Sequence, residues 1–228
     1  MKKASIIILL TLSTFFLHAQ KLTGGFFASS NLTWLKPINT TEIQNEGIKL
    51  GFSYGILGDY RLFGKNFTLN MGIVIDRMGG KIGYSDSIPH FTTTDSTYAF
   101  TKGVVIDYKL TYIGIPIGLK GKTNEIGYIT YFMKGGITPM FHFRSKADAT
   151  QHNITDMSIP KEVATLAMGY YIGGGIEYNL GGSTSLLVEL VFTNGLTDIT
   201  NTVRIFRGEE RQDAIIQNNL ALRLGIIF

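Results

Sequence analysis

The feature that most constrains this chain is a period-two alternation of apolar and polar residues that returns in segment after segment. From Ile48 to Leu62 the even positions Ile48, Leu50, Phe52, Tyr54, Ile56 and Tyr60 are apolar or aromatic, and Lys49, Ser53, Asp59 and Arg61 fall between them. Successive side chains of a strand point to opposite faces, so this spacing predicts a strand with one apolar face and one polar face. The same alternation sets Phe67, Leu69, Met71, Ile73 and Ile75 against Thr68, Asn70 and Asp76, and Ile129, Tyr131, Met133, Ile137 and Phe141 against Thr130, Lys134 and Thr138. It recurs around Tyr170 to Tyr178 with Glu177 on the polar face, around Leu186 to Phe192 with Glu189, and around Leu220 to Phe228 with Arg223. A fainter segment runs from Leu22 to Trp34. Another, from about Val104 to Lys120, changes phase between Tyr108, Leu110, Tyr112 and Ile113, Ile115, Ile117, Leu119, which predicts a bulge near Tyr112 to Pro116.

Together these segments predict an all-β fold, an eight-stranded antiparallel up-and-down transmembrane β-barrel. No segment after the first twenty residues offers the roughly 18 consecutive apolar residues that a membrane helix needs, whereas a tilted strand crosses with about 9 to 11. The connections alternate in length, as they do in outer-membrane barrels. Short links fall at 63–66, 121–127 and 181–182, and long polar ones at 35–47, 81–103, 144–167 and 197–215. That order puts both termini in the periplasm. It also places Tyr60, Phe67, Tyr128, Tyr178 and Phe228 at one membrane rim and Trp34, Tyr108, Phe141, Tyr170 and Phe192 at the other. A soluble ligand-binding barrel would instead gather its aromatics inside.

Ahead of the barrel, the basic Met1-Lys2-Lys3, the apolar run from Ala4 to Leu17 and the small Ala19 form the layout of a secretory signal peptide. The domains expected are therefore a signal peptide at 1–19 and a barrel at 20–228. A net charge of +4 with both signs dispersed argues against a nucleic-acid partner. The absence of Cys removes disulfides, thiolate metal sites and cysteine nucleophiles.

The polar faces assign Lys49, Asp59, Arg61, Asp76, Lys134, Glu177, Glu189 and Arg223 to the barrel interior, four of each sign. In so narrow a lumen the expected arrangement is a salt-bridged plug, with Glu189 and Arg223 paired across adjacent strands. The alternative is acid/base chemistry by Glu177 and Glu189. His142 and Ser145, near the end of one strand, are the nearest approach to a hydrolytic pair, without a motif that places an orienting acid. No catalytic, cofactor or metal residue is assigned, and His90 and His152 lack ligand spacing.

The segment from Leu110 to Lys120, LTYIGIPIGLK, resembles the YLEIPLxLK strand of the PorT-like outer-membrane β-barrel family of Bacteroidota, with Gly114 where that strand usually carries Glu. Gly173 to Tyr178, Leu186 to Ile199 and Leu220 to Phe228 are similar to the same family, so the resemblance spans most of the chain. The closing pattern Leu220, Leu222, Leu224, Ile226 and terminal Phe228 resembles the signal by which barrels are recognised for insertion, which implies the barrel-assembly machinery and outer-membrane lipid as partners. The family's namesake implies a part in secretion. The function expected is that of a non-enzymatic outer-membrane barrel acting through its external loops or an envelope or secretion protein. A small-solute channel and a lipid-modifying enzyme are the alternatives.

Overall fold

The computed structural model describes residues 22–38, 42–151, 154–206, 208–212 and 214–228, and the expected signal peptide lies outside them. In chain order the strands are β1 Leu22–Ile38, β2 Ile43–Gly47, β3 Lys49–Phe63, β4 Phe67–Tyr84, β5 Ile88–Thr92, β6 Thr97–Phe100, β7 Val104–Gly114 and β8 Ile117–Lys122. They continue with β9 Ile129–Ala149, β10 Ile154–Ser158, β11 Leu166–Gly181, β12 Thr184–Gly195, β13 Val203–Phe206, β14 Glu209–Gln212 and β15 Ala214–Ile227. A 3-10 turn lies at Pro160–Glu162.

Eight walls close into a ring in the order β1, β3, β4, β7 with β8, β9, β11, β12, β15 and back to β1, every neighbour antiparallel. The seam between first and last strands runs from Gly25 opposite Ile227 to Ile38 opposite Ala214. Gly24 and Phe228 exchange two further backbone hydrogen bonds, 3.0 and 2.8 Å. At one end of the ring tight turns join the walls, with Gly64 and Gly182 at φ 59° and 64°, the left-handed region open to glycine. At the other end the connections are long.

Along the lower walls, nearest the short turns, the apolar alternates face outward and are exposed: Phe26, Ile56, Ile73, Leu119, Met133, Ile172, Leu190 and Leu224 among them. Their polar alternates, including Ser29, Asn31, Asp59, Asn70 and Glu189, are buried in the lumen. β9 has 21 residues and β4 has 18, well beyond the roughly 9 to 11 that a crossing needs, so the walls continue past the apolar band. There the faces invert. Leu35, Ile82, Tyr84, Val104, Ile106, Tyr108, Leu110 and Tyr112 are buried inside, and Lys81, Lys109, Lys146 and Asp148 stand outside. Where water replaces lipid on the outer face, the interior becomes an ordinary apolar core.

This inversion corrects three expectations. Tyr108 is fully buried within the barrel, so it is no part of an outer aromatic rim. No bulge interrupts the wall between Tyr112 and Pro116: Val74 stays opposite Gly114 and Met71 opposite Ile117, with equal spacing on both strands. Tyr112 and its alternates point inward while Ile115, Ile117 and Leu119 point outward, as one uninterrupted strand phase requires. The break between β7 and β8 marks Pro116, which has no amide hydrogen for the ladder. The bulge present lies instead on β9, where Thr111 faces Arg144 and Tyr112 faces His142, leaving Phe143 as the extra residue. The links expected at 81–103 and 144–167 begin as wall strand, because β4 reaches Tyr84 and β9 reaches Ala149.

The long connections are folded rather than loose. β14, β13, β5 and β6 form a second small sheet over the mouth, and Ile88, Phe91, Phe100, Ile159, Val163 and Ile199 from the connections join the core of the upper walls. One local irregularity shapes this end. β3 stops pairing with β4 at Phe52 opposite Arg77, and β2 takes over only at Gly47 opposite Lys81. In the gap β1 reaches β4 directly: Thr33 Oγ1 donates to the Gly79 carbonyl at 2.9 Å and accepts from the Gly79 amide at 3.2 Å. On its other side, a Cβ added at Gly79 would stand 2.0 Å from the Tyr108 carbonyl oxygen, so only glycine lets β4 lie this close to β7 here. Gly79→Val is therefore expected to destabilise the detergent-solubilised barrel by about 1–3 kcal/mol or more, read as a lowered thermal unfolding midpoint.

Candidate functional site

The lower lumen holds four acids and four cations among the described residues: Asp59, Asp76, Glu177 and Glu189 against Lys120, Lys122, Lys134 and Arg223. Each sits there because it occupies the inward phase of its wall. Lys120 Nζ lies 2.7 Å from Asp59 Oδ2 and 2.6 Å from Glu177 Oε1. Lys122 contacts the same two carboxylates at 3.3 and 3.0 Å. Asn70 Nδ2 donates to Asp59 at 2.7 Å, and its Oδ1 accepts from Lys134 at 3.5 Å. Lys134 continues to Glu189 at 2.7 Å, and Arg223 stands opposite Glu189 in the β12–β15 register at 3.8 Å. A single polar chain thus crosses the lumen from Glu177 to Arg223.

Aromatic rings back the cations. Lys120 lies 4.3 Å from the centroid of Phe132, Arg223 4.7 Å from Phe27 and Lys134 5.9 Å from Tyr171. Asp76 is buried opposite Ser53, and Asn31 donates to Ser53 Oγ. The voids left inside this plug are about 10 and 20 Å³, room for about one water each.

Of the residues that the alternation assigns to the interior, Asp59, Asp76, Lys134, Glu177, Glu189 and Arg223 lie in the lumen. Two do not. Lys49 sits where β3 has parted from β4, and its ammonium passes to Asp107, which belongs to the outward phase of β7. Arg61 is exposed, because among the described residues the pairing of β3 with β1 ends one residue earlier, at Tyr60 opposite Leu22. Their places in the charge balance are taken by Lys120 and Lys122. The sequence carries a signal for both: they alternate with the outward Ile117, Leu119 and Gly121. Leu220, Leu222, Leu224, Ile226 and Phe228 form the outward stripe of the last wall.

Above the plug, the mouth is closed by the apolar core and its folded cap. The Tyr84 and Tyr108 hydroxyls meet at 2.8 Å inside it. The Thr92 amide donates to Glu162 at 2.8 Å, tying β5 to the 3-10 turn. His142 is half-buried edge-on to Tyr112, their ring centroids 5.9 Å apart. Ser145 is buried, and no hydrogen bond joins it to His142 among the described residues. At the rims, Phe26 packs against Phe228 and Tyr128 against Tyr178 at the short-turn end, and Trp34 against Phe192 nearer the other.

The arrangement has the chemistry of a seal. Each luminal carboxylate of the chain from Glu177 to Glu189 is matched by an ammonium at ion-pair distance, which leaves no carboxylate pair free to trade protons with a substrate.

The sequence matches the family described as outer membrane protein beta-barrel domain over residues 18–201. Among curated proteins no relative matches. Three solved structures that resemble the chain are a major outer membrane protein of Thermus thermophilus, Neisserial surface protein A, and the outer membrane protease OmpT of Escherichia coli. The first is 11% identical, with 90% of this chain and 98% of that chain covered and a TM-score of 0.47. The second is 10% identical, with 90% and 95% covered and a TM-score of 0.46. The third is 11% identical, with 91% and 96% covered and a TM-score of 0.45.

Breaking the plug on one side strands a buried charge. Lys134→Met is expected to cost about 3–5 kcal/mol, and adding Glu189→Leu to recover only part of the loss, because it removes the stranded carboxylate but leaves the buried Arg223, 3.8 Å from Glu189, without that partner. Thermal unfolding of both variants in detergent measures this.

Proposed function

Because the chain belongs to the outer membrane protein beta-barrel domain family, we propose that it works in the outer membrane as a closed, non-enzymatic barrel whose active part is the folded cap at its long-loop end. In this reading both termini face the periplasm and the cap faces outward, the arrangement usual for barrels with short periplasmic turns and long external connections. The stripe from Leu220 to Phe228 is the element that the assembly machinery recognises, and outer-membrane lipid covers the apolar band.

The observation that carries the proposal is the double closure. The charged plug fills the lower lumen and an apolar core fills the upper one. A pore would need both to open. What stays available for recognition is the outer surface of the cap, where Glu209, Glu210, Arg211 and Gln212 on β14 are all exposed. A rigid scaffold presenting ordered connections is how barrels and sandwiches commonly display binding surfaces. The partner class is an envelope or secretion protein, a choice that the resemblance to PorT-like barrels favours, and the role is structural or accessory.

The test is affinity purification of the tagged protein from gently solubilised native membranes, beside a variant in which Glu209 to Gln212 are replaced by serine. A near-stoichiometric protein that co-elutes with the parent chain and is lost from the variant is expected, with the variant still folded by its heat-modifiable gel mobility. Retention of the same companion by the variant, or recovery of the barrel alone, would overturn the cap as the working surface.

A further inference from the structure

The parting of β3 and β4 opens a cleft of about 600 Å³ on the outer wall. Its position relative to the apolar band follows from three successive rows of outward side chains. In the first row, Tyr54, Ile75, Ile113 and Phe141 stand side by side on β3, β4, β7 and β9. The next row toward the cap is Phe52, Arg77, Thr111 and Arg144. The one beyond it sets Lys109 beside Lys146. Within two rows the wall passes from wholly apolar to strongly cationic, which marks the edge of the membrane.

The cations at this edge are not equivalent. Lys49 is engaged by Asp107, Lys109 by Asp148 at 2.6 Å, and Lys146 by Asp156 at 2.9 Å. Among the described residues no ion pair reaches Arg77 or Arg144, and both are exposed. They lie on the same row with only Thr111 between them, two strand spacings or about 10 Å apart, within reach of a shared bulky anion. Guanidinium groups bind phosphate through paired donors. Phe143, the bulged residue on β9, stands 70% exposed beside Arg144 and lines the same cleft.

We propose that this cleft binds lipopolysaccharide of the outer leaflet, with a lipid A phosphate held between Arg77 and Arg144 and acyl chains lying along Phe52, Tyr54, Ile75 and Ile113. The inference rests on the proposed orientation, which turns the long-loop end toward that leaflet. The cleft is far larger than one phosphate, and it joins an unneutralised cationic row to an apolar wall. That combination fits an amphiphile with an anionic sugar head better than a zwitterionic phospholipid.

The probe is diphosphorylated, hexa-acylated lipid A added to the purified full chain in detergent, with retention followed by native mass spectrometry. One retained lipid A is expected, with affinity reduced about tenfold or more in the double variant Arg77→Gln/Arg144→Gln. Lys65→Gln, at the exposed short-turn end, should bind as the parent chain does. Gel mobility before and after heating shows whether each variant is folded. Equal retention of dephosphorylated lipid A or of phosphatidylethanolamine, or undiminished binding by the folded double variant, overturns the site. Surface labelling of a tag inserted at Gly208 on intact cells tests the orientation separately. An inaccessible tag with lipid A bound would remove the orientation and leave the site, and an accessible tag without binding would remove the site alone.

Discussion

Everything in this fold depends on closing the backbone ladder of the barrel without an edge. In hydrocarbon an unpaired amide or carbonyl has no water to turn to and costs several kcal/mol, so a strand can face lipid only if both of its neighbours are strands. The seam between β1 and β15 meets that demand along fourteen paired positions from Gly25 to Ile38, and the terminal Phe228 completes it against Gly24. Once the ring is closed, each wall has an outward phase and an inward phase, and the solvent on each side decides what those phases hold.

Two solvents meet the outer wall, and the interior answers to both. Beside lipid, the inward phase carries charge, and a lumen with room for only single waters obliges those charges to neutralise one another. The chain from Glu177 through Lys120, Asp59, Asn70 and Lys134 to Glu189 does this with contacts of 2.6–2.7 Å at its ion pairs. Past the apolar band the outer face meets water, and the interior fills with Leu35, Ile82, Tyr108 and their neighbours. The cap connections extend that core instead of hanging free. The molecule is thus a membrane barrel continued by a water-soluble one, with the change of regime at the row of Arg77 and Arg144.

Much of this is legible in the sequence because period two survives in either regime. The eight walls, the short turns at Gly64 and Gly182 and the inward placement of Asp59, Glu177 and Glu189 all follow from parity. Parity fixes a phase but not a side, and that is why it misplaces Tyr108, Leu110 and Tyr112. Assigning every apolar residue to the lipid face turns their position into a phase change, and a phase change calls for a bulge that the wall lacks. Lys49 and Arg61 have the right parity, but each lies where a neighbouring wall has ended or parted, a tertiary fact that no local pattern records. Lys120 is within reach of the pattern, since it alternates with Ile117 and Leu119. The cap is not legible, because its short strands β5, β6, β13 and β14 gain stability from the barrel core beneath them rather than from their own pattern.

We infer a sealed barrel whose working surface lies outside the lumen. Single-channel recording of the purified, refolded protein in planar bilayers tests it most directly. A sealed barrel gives no stepwise conductance in simple salt at moderate voltage. Reproducible open steps from protein whose gel mobility shows it folded would contradict the seal and make the lumen itself the functional site.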